Sequence, residues 1–288
     1  EQVANKSRKS SEKVPEKSRT SFEILDVEPM TNLVAQILRQ GLYSRIIARD
    51  IRFYSETEST MDEARILATG NVQEGMLVVA ESQTKGRGRF ARSWLSSPGN
   101  LYVSTVLYPP IEALPFMSIM AGVAVARAIE KSTNLKATVK WPNDIIVNGK
   151  KVGGVLTECV VQGNEVSYLI IGIGLNIALD KSVFQGLLEG GTSLNIQLGA
   201  EVDRCSLTRR LIHDLDYMYS ELVKGNPPIS EWLEIIDTVG KEIEVVVGEE
   251  RLFGTAESLD AYCNLVLRLP NGEARILSEG DVTLRVPT

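Results

Sequence analysis

A short segment rich in glycine and arginine, residues 86–92, carries the residue types best suited to binding an anion. It reads Gly-Arg-Gly-Arg-Phe-Ala-Arg and has no hydrophobic periodicity. Glycine lets the backbone approach a ligand closely, and each arginine supplies forked donors for phosphate or carboxylate. The whole chain has a net charge of −6, so one basic loop favours a small anionic ligand. A nucleic-acid partner would require an extended basic face and is not expected.

Two later segments add groups that could act on the same ligand. Residues 140–144 read Lys-Trp-Pro-Asn-Asp, and Lys151 stands just before the glycine pair Gly153 and Gly154. Paired glycines weaken a strand and usually mark the close approach of a ligand or of another backbone. Lys151 is therefore a candidate phosphate or carboxylate contact. The alternative is a lysine at the edge of a hairpin, beside Lys150.

Several common sites are excluded by the sequence. It contains no GxxxxGK[ST] segment, so a P-loop does not hold phosphate here. Gly172 and Gly174 lack the third glycine and the strand–helix–strand context of a dinucleotide fold. His213 is the single histidine, which excludes a Ser-His-Asp triad and a His-rich metal site. Its helical surroundings predict a structural role.

Four segments occur in an informative order: residues 86–94, 140–144, 150–154 and 171–176. Their order and approximate spacing resemble the catalytic domain of biotin–protein ligases, the pattern of which is GRGRRGRxW, KWPND, K(L/V)xG and GxGxN. The resemblance covers about residues 30 to 288. Any one of these motifs would be a weak signal, whereas four in register are specific.

The resemblance implies an enzyme that forms biotinyl-5′-AMP from biotin and ATP and then transfers biotin to one lysine of a biotin carboxyl carrier domain. Adenylate formation joins two negative groups, so lysine, arginine and Mg²⁺ must neutralise their repulsion while water is excluded. The residues implied in catalysis are Lys151, Arg89 and Asp144. Lys151 would meet the carboxylate and the α-phosphate, and Asp144 would orient the acceptor amine. No protein ligand is assigned to a metal.

The same motifs imply two sets of binding residues. The neutral ureido ring of biotin requires matched donors and acceptors, which hydroxyl, amide and helix N-terminal groups supply. The implied biotin-binding set is Ser59, Thr60, Met61, Gln83, Arg87, Gly88, Arg89 and Lys151. The implied ATP- and adenylate-binding set is Gly86, Arg87, Arg89, Trp94, Lys140, Asn143, Gly154 and Asn176.

The chain departs from the family pattern at two places. Met61 stands where bacterial members commonly have asparagine, which weakens the transfer of a ureido contact to this position. Phe90 and Ala91 stand where Arg-Gly is common, and Ala91 adopts a positive φ only at a cost, so the closed loop is expected to differ in detail. Structural roles stay open as alternatives for the helix cap, the loop tryptophan and the strand-end asparagine: Ser59-Thr60, Trp94 and Asn176.

Hydrophobic periodicity predicts the elements that would position these residues. Strands are predicted at 46–53, 77–81 and 101–108, around 139–141, and as a hairpin of 152–161 with 166–173. Helices are predicted from residue 59, where Thr60 and Glu63 fit a capping box, and at 116–132, 206–223 and 229–237. Short strands at 242–247, 251–259, 264–269 and 273–277 predict a small barrel.

The fold class is therefore predicted as α+β. The resemblance implies a mixed β-sheet flanked by helices, as in class II synthetases and biotin–lipoate ligases, followed by a small SH3-like β-barrel. We divide the chain into a tail (1–28), a biotin- and ATP-binding catalytic domain (29–238) and a C-terminal SH3-like domain (239–288).

The first residues have a different composition. Residues 1–21 carry six basic and three acidic side chains and almost no apolar ones, so the tail is expected to be disordered. A targeting sequence or a DNA-binding arm is the alternative. Only about thirty residues precede the catalytic domain, which we expect to be too few for a helix-turn-helix domain.

The remaining composition predicts a cytoplasmic protein. Cys159, Cys205 and Cys263 are far apart and odd in number, which predicts reduced, buried thiols. No apolar run reaches membrane-spanning length, so no membrane partner is expected. Family members differ in dimerisation, which leaves a homodimer open. Two rival functions are a biotin-sensing repressor and a lipoate or octanoate ligase, and Gln83 and the Trp-Pro-Asn-Asp segment argue against the latter.

Overall fold

The computed structural model describes residue 37 and residues 41–70, 72–184, 190–278 and 280–284. The predicted tail, residues 1–28, lies outside the described residues. The two domain boundaries stay predictions.

The larger sheet is mixed. Its strands are β1 (Ile51–Thr57), β2 (Leu77–Gln83), β3 (Leu101–Leu107), β4 (Ala137–Lys140), β5 (Asp144–Val147), β6 (Lys150–Gln162) and β7 (Glu165–Leu175). Within the described residues their spatial order is β1-β2-β3-β7-β6-β5-β4. β1 and β2 are parallel, and every other neighbouring pair is antiparallel. The arrangement confirms the predicted α+β class.

The first predicted strand was placed too early. The strand begins at Ile51, and residues 46–50 form bends and turns instead. Backbone N–H groups of Arg45, Ile46 and Ile47 donate to the buried carboxylate of Asp216 at 2.7–2.8 Å. These donors are therefore not available to a strand partner, since each N–H makes one strong hydrogen bond.

Helices cover the sheet. They are α1 (Thr60–Thr69), α2 (Met117–Thr133), α3 (Lys181–Phe184), α4 (Leu194–Leu198), α5 (Arg204–Leu222) and α6 (Ile229–Ile235). The expectation that no apolar run reaches membrane-spanning length is wrong: the stretch Ile111–Thr133, which contains α2, is long and apolar enough to cross a membrane. Most of it is buried inside the protein. α2 packs against α5 and α6, and Gly122 lies against the ring of Trp232. The stretch is a core helix.

The C-terminal strands form a second, smaller sheet. They are β8 (Glu242–Val247), β9 (Glu250–Leu259), β10 (Leu265–Arg268), β11 (Ala274–Leu277) and β12 (Asp281–Leu284). In the described part of the chain they are antiparallel in the order β11-β10-β9-β8-β12. Their buried residues, such as Ile243 and Leu265, belong to the same hydrophobic cluster as Trp141 and Val139 of the larger sheet. One continuous core therefore joins the two sheets.

The prediction that all three thiols are buried is wrong for one of them. Cys205 and Cys263 are buried, but Cys159 is exposed, and all three are unpaired. Strand β5 pairs with β6 only as far as Gly154. The more distant half of β6, which carries Cys159, therefore has β7 as its neighbour on one side only.

Candidate active site

A cavity of about 600 Å³ lies between the larger sheet and the smaller one. The smaller sheet contributes residues at or next to its first and last strands, such as Lys241 and Val282. This volume is typical of small-molecule sites. Every residue that the sequence placed in the site lines the cavity except Gly86: Ser59, Thr60, Met61, Gln83, Arg87, Gly88, Arg89, Trp94, Lys140, Asn143, Asp144, Lys151, Gly154 and Asn176.

The cavity is positively charged in an acidic protein. Its charged lining residues are Arg87, Arg89, Arg92, Lys140, Lys151, Lys241, Asp144 and Asp237. Six cations against two anions give a net charge of +4, whereas the whole chain carries −6. Such a local excess favours an anionic ligand.

One part of the cavity is neutral and polar, and a chain of hydrogen bonds fixes it. Gln83 Oε1 accepts from the backbone N–H of Thr60 at 2.8 Å and from its hydroxyl at 3.1 Å. Gln83 Nε2 donates to Ser96 Oγ at 2.8 Å, and Ser104 Oγ donates to Thr60 Oγ1 at 2.8 Å. These contacts of Gln83 hold the first residue of α1 in place.

Ser59 offers an unused hydroxyl at the same helix end. Its side chain is 1% exposed, and its Oγ has no hydrogen-bond partner among the described residues. The predicted capping box is wrong: Ser59 is the N-cap residue without a side-chain cap bond, and Glu63 Oε1 accepts from Thr57 Oγ1 instead. A buried hydroxyl without a partner is costly, so a ligand is the natural partner for Ser59.

Met61 forms an apolar wall beside these groups. It is 4% exposed and packs with Ala64 and Ala68. A Cβ on Gly172 would lie 2.5 Å from Met61 Sδ. The absence of a side chain at Gly172 therefore makes room for methionine at this position.

Residues 86–92, the basic loop, form a tight turn. Gly88 N donates to Arg92 O at 2.8 Å, and Trp94 N donates to Gly86 O at 2.8 Å. A Cβ on Gly86 would lie 2.5 Å from the carbonyl oxygen of Trp94, so Gly86 serves the turn and not the lining. Ala91 does not have a positive φ. The loop residue with positive φ is Phe90, at φ 54° and ψ 40°.

Trp94 covers two glycines of neighbouring strands. A Cβ on Gly174 would lie 2.7 Å from its indole Nε1, and one on Gly154 would lie 3.9 Å from its ring. Lys151 Nζ lies 5.4 Å from the ring centroid, within the range of cation–π attraction. The Nε1 donor is buried without a partner among the described residues. Trp94 is therefore a wall of the cavity with an N–H group to offer.

Two lysines converge on one carboxylate. Lys151 Nζ lies 2.5 Å from Asp144 Oδ1, and Lys140 Nζ lies 3.6 Å from Asp144 Oδ2. Lys140 also donates to the carbonyl of Val282 at 2.9 Å. Strand β5 pairs Ile146 with Lys151, and Asp144 lies two residues before Ile146, on the same face of β5, within reach of Lys151 Nζ. Asp144 thus holds both cations at the cavity.

Two asparagines hold backbone at the edge of the cavity. Asn143 Nδ2 donates to the carbonyl of Val155 at 2.6 Å. Asn176 is 4% exposed, and its Nδ2 donates to the carbonyl of Thr192 at 3.2 Å. Asn143 therefore holds strand β6, and Asn176 holds the segment before α4, while both line the cavity.

Some lining residues were not predicted from the sequence. Lys241 and Asp237 form an ion pair at 2.5 Å, and the carbonyl of Gly280 accepts a hydrogen bond from Arg89 Nη1 at 3.0 Å. Lys241, Asp237 and Gly280 lie next to the second sheet. Their position at the cavity depends on how the two sheets pack together, which no local sequence pattern reveals. Tyr102 was missed as well. Burial raises the pKa of its phenol, which stays neutral and donates to Ser97 O at 3.0 Å.

Comparison with known proteins identifies the family. Residues 53–176 match the biotin/lipoate A/B protein ligase family, and residues 238–285 match the biotin protein ligase C-terminal domain. The bifunctional ligase/repressor BirA of Bacillus subtilis is 32% identical over 247 residues, which cover 84% of this chain and 76% of the relative. The biotin–[acetyl-CoA-carboxylase] ligase of Paracoccus denitrificans is 32% identical over 228 residues, 76% of this chain and 94% of the relative.

Solved structures agree with the sequence relatives. The biotin protein ligase from Aquifex aeolicus in complex with biotin and ATP superimposes with a TM-score of 0.68 at 27% identity, covering 82% of this chain and 98% of that one. The biotin protein ligase from Leishmania major in complex with biotin gives a TM-score of 0.53 at 29% identity, covering 80% and 98%. With its motifs, its cavity and these relatives, the chain belongs to the biotin–protein ligase family.

Proposed function

We propose that the protein joins biotin to ATP to form biotinyl-5′-AMP and then transfers biotin to a lysine of a biotin carboxyl carrier domain. The observation that carries the proposal is a single cavity in which a buried, unpaired hydroxyl, Ser59 Oγ, and fixed neutral groups adjoin an excess of cations. Biotin combines a neutral ureido ring with a carboxylate, and ATP is an anion, so both kinds of lining are required.

In the first step a biotin carboxylate oxygen attacks the α-phosphorus of ATP. The bond from that phosphorus to the bridging oxygen breaks, and pyrophosphate leaves. Both reactants are negative, so Lys151 and Arg89 are proposed to neutralise the charge that gathers at the reacting atoms. Trp94 is proposed to cover the adenylate and exclude water.

The lining fits a magnesium ion that arrives with the nucleotide. No cluster of three or more metal-binding side chains occurs in the part of the chain that the structure describes. Mg²⁺ commonly uses one or two carboxylates together with substrate phosphates and water. Asp144 and Asp237 line the cavity and could each supply one carboxylate. Bound there, the ion would neutralise charge on the leaving pyrophosphate.

In the second step the amine of an acceptor lysine attacks the acyl carbon. The carbon–oxygen bond to AMP breaks, AMP leaves, and the nitrogen loses its proton. Asp144 is proposed to orient the amine once Lys151 has turned to the ligand. A biotin carboxyl carrier domain is proposed as the partner, because the second step requires an acceptor lysine and because the chain belongs to the biotin–protein ligase family. A homodimer stays a prediction, which sedimentation of the purified protein would test.

A cytoplasmic location is part of the proposal, and its support is the three unpaired thiols and the requirement for ATP. Relatives named as both ligase and repressor match this chain, and the family models that match at 53–176 and 238–285 support the ligase function. A gel-shift assay on the full gene product tests repression.

Mass spectrometry tests the proposed function. A biotin carboxyl carrier domain is incubated with the protein, biotin and MgATP, and we expect the mass of one biotinyl group on one lysine. Omission of ATP is the control. Lipoate is then added as competitor. An unmodified carrier would contradict the proposal, and efficient transfer of lipoate would favour the rival ligase.

A further inference from the structure

Four charged side chains from three parts of the chain form one cluster beside the cavity. Asp62 and Arg65 lie on α1, Arg87 lies in the basic loop, and Glu158 lies on β6. Arg65 Nη1 lies 2.7 Å from Asp62 Oδ1, and Arg65 Nη2 pairs with Glu158. Arg87 Nη2 lies 2.8 Å from the same Asp62 oxygen and 3.5 Å from Glu158 Oε1. Two guanidinium groups thus share two carboxylates.

Arg87 is the member of this cluster that lines the cavity. Its Nε and Nη2 atoms are buried and make no hydrogen bond to any residue that the structure describes. The approach to Asp62 is therefore close without the geometry of a hydrogen bond. Buried donors without an acceptor are costly, and a planar guanidinium matches a carboxylate or a phosphate. Because Nη2 already faces Asp62 and Glu158, the buried Nε donor is the group of Arg87 that points to an acidic ligand.

We propose that Asp62 and Glu158 are positioning residues for Arg87: they hold its Nη2 group so that the Nε donor faces an acidic ligand in the cavity. The inference rests on the proposed function, in which that ligand is the biotin carboxylate or the adenylate. Neither carboxylate belongs to the set of residues that the family motifs pointed to.

Arg65 balances the charge of the two carboxylates. Two acids facing Arg87 alone would place a net charge of −1 beside a site for an anion. With Arg65 present the cluster is neutral, and Arg87 keeps its attraction for the ligand. The hydrogen bond to Glu158 raises the pKa of the Arg65 guanidinium, so this counter-charge is permanent.

Loss of orientation should outweigh the change in charge. Removing the charge of Glu158 makes the cluster more positive, which alone would attract an anion. The side chains of Arg87 and Glu158 are about one-third exposed (34% and 31%), so water screens the added charge. A misplaced binding group contacts its ligand less well. We therefore expect weaker biotin binding.

A double-mutant cycle between Glu158 and Arg87 tests the inference. The variants are Glu158→Gln, Arg87→Ala and the double variant, and Glu165→Gln removes an exposed charge from the same hairpin as a matched control. Pyrophosphate release gives kcat and the KM for biotin, and calorimetry gives the Kd for biotin. We expect Glu158→Gln to raise the KM about tenfold and to change kcat less than about twofold. Once Arg87 is alanine, the same change should have no effect.

Two outcomes would overturn the inference. One is an unchanged KM in a folded Glu158→Gln protein, and the other is an effect of Glu158→Gln that persists in the Arg87→Ala background, which would mean a merely structural link between α1 and β6. If Glu158→Gln does not fold, Asp62→Asn takes its place in the cycle. A wild-type protein that releases no pyrophosphate would instead defeat the proposed function, and the calorimetric cycle would still report on the positioning of Arg87.

Discussion

Lys151 differs from its neighbour Lys150 only in where its side chain goes. Lys151 Nζ meets Asp144 and the face of Trp94, whereas Lys150 is exposed. Replacing Lys151 with alanine should slow pyrophosphate release about 10²–10³-fold, because one charge at the reacting atoms is lost. Lys150→Ala removes the same charge from the next position and should release pyrophosphate normally. Near-normal release by a folded Lys151→Ala protein would remove Lys151 from the mechanism.

Arg89 should serve retention of the intermediate more than its formation. Its guanidinium lies 4.8 Å from the ring centroid of Phe90 and donates to Gly280 O, so it ties the basic loop to the second sheet. Arg89→Gly should still form the adenylate but release it, and the released mixed anhydride should acylate lysines of any protein in solution. The assay is biotin on serum albumin after incubation with MgATP and biotin. If the albumin stays unlabelled while ATP is consumed, another residue holds the intermediate.

The sequence predicted which side chains line the cavity better than it predicted what each of them contacts. The motifs placed fourteen of fifteen residues on one cavity, because glycine and arginine patterns report local chemistry. The same patterns could not show that the amide of Gln83 is hydrogen-bonded to Thr60 and Ser96. They also missed Asp62 and Glu158, which meet Arg87 only after α1 and β6 have packed together.

At the scale of elements, the two adjacent glycines of β6, Gly153 and Gly154, have different roles. A Cβ on Gly153 would collide with the side chain of Leu175 and lie 2.7 Å from the carbonyl oxygen of Gly174. A Cβ on Gly154 would meet nothing closer than 3.7 Å, and Gly154 lines the cavity. Gly153 therefore serves the packing of β6 on β7, and we propose that Gly154 leaves room for the ligand.

Two alanine substitutions distinguish the role in strand packing from the role in ligand binding. Gly153→Ala should lower the free energy of unfolding by about 1–3 kcal/mol, because backbone must shift to relieve the overlap. Gly154→Ala should unfold like the wild type but bind ATP and biotin more weakly, since its methyl group enters the cavity. Thermal unfolding and calorimetry measure the two effects. Equal stability for both variants, or normal ligand binding by Gly154→Ala, would contradict this division.

Strand periodicity predicted the hairpin of β6 and β7 and most of the second sheet, because alternating apolar residues and turn residues are local signals. It misplaced β1, since the Asp216 carboxylate that captures the backbone at Arg45, Ile46 and Ile47 lies about 170 residues away in sequence. Contacts at that separation depend on the finished packing and leave no local pattern. The same reason hid Lys241 and Asp237 from the predicted site.

At the scale of the whole molecule, the second sheet is tied to the residues 140–144 turn. Trp141 is 2% exposed; its backbone N–H donates to Thr238 Oγ1 at 2.8 Å, and its indole donates to Cys263 O at 3.3 Å. Lys140 and Arg89 add bonds to Val282 and Gly280. The small sheet therefore supports one side of the cavity, and a substitution that weakens this support should also lower activity.

Thr238→Val tests this coupling with a side chain of the same shape. The change leaves the buried N–H of Trp141 without its acceptor, which should cost about 1–3 kcal/mol and lower the midpoint of thermal unfolding by several degrees. Because Trp141 adjoins Lys140 and Asn143, we also expect slower pyrophosphate release at temperatures where the protein is fully folded. Thr69→Val is the matched control, since the Thr69 hydroxyl donates to Ile66 O at the surface. Reduced stability with full activity would show that the second sheet contributes to folding alone and that the turn keeps its position without it.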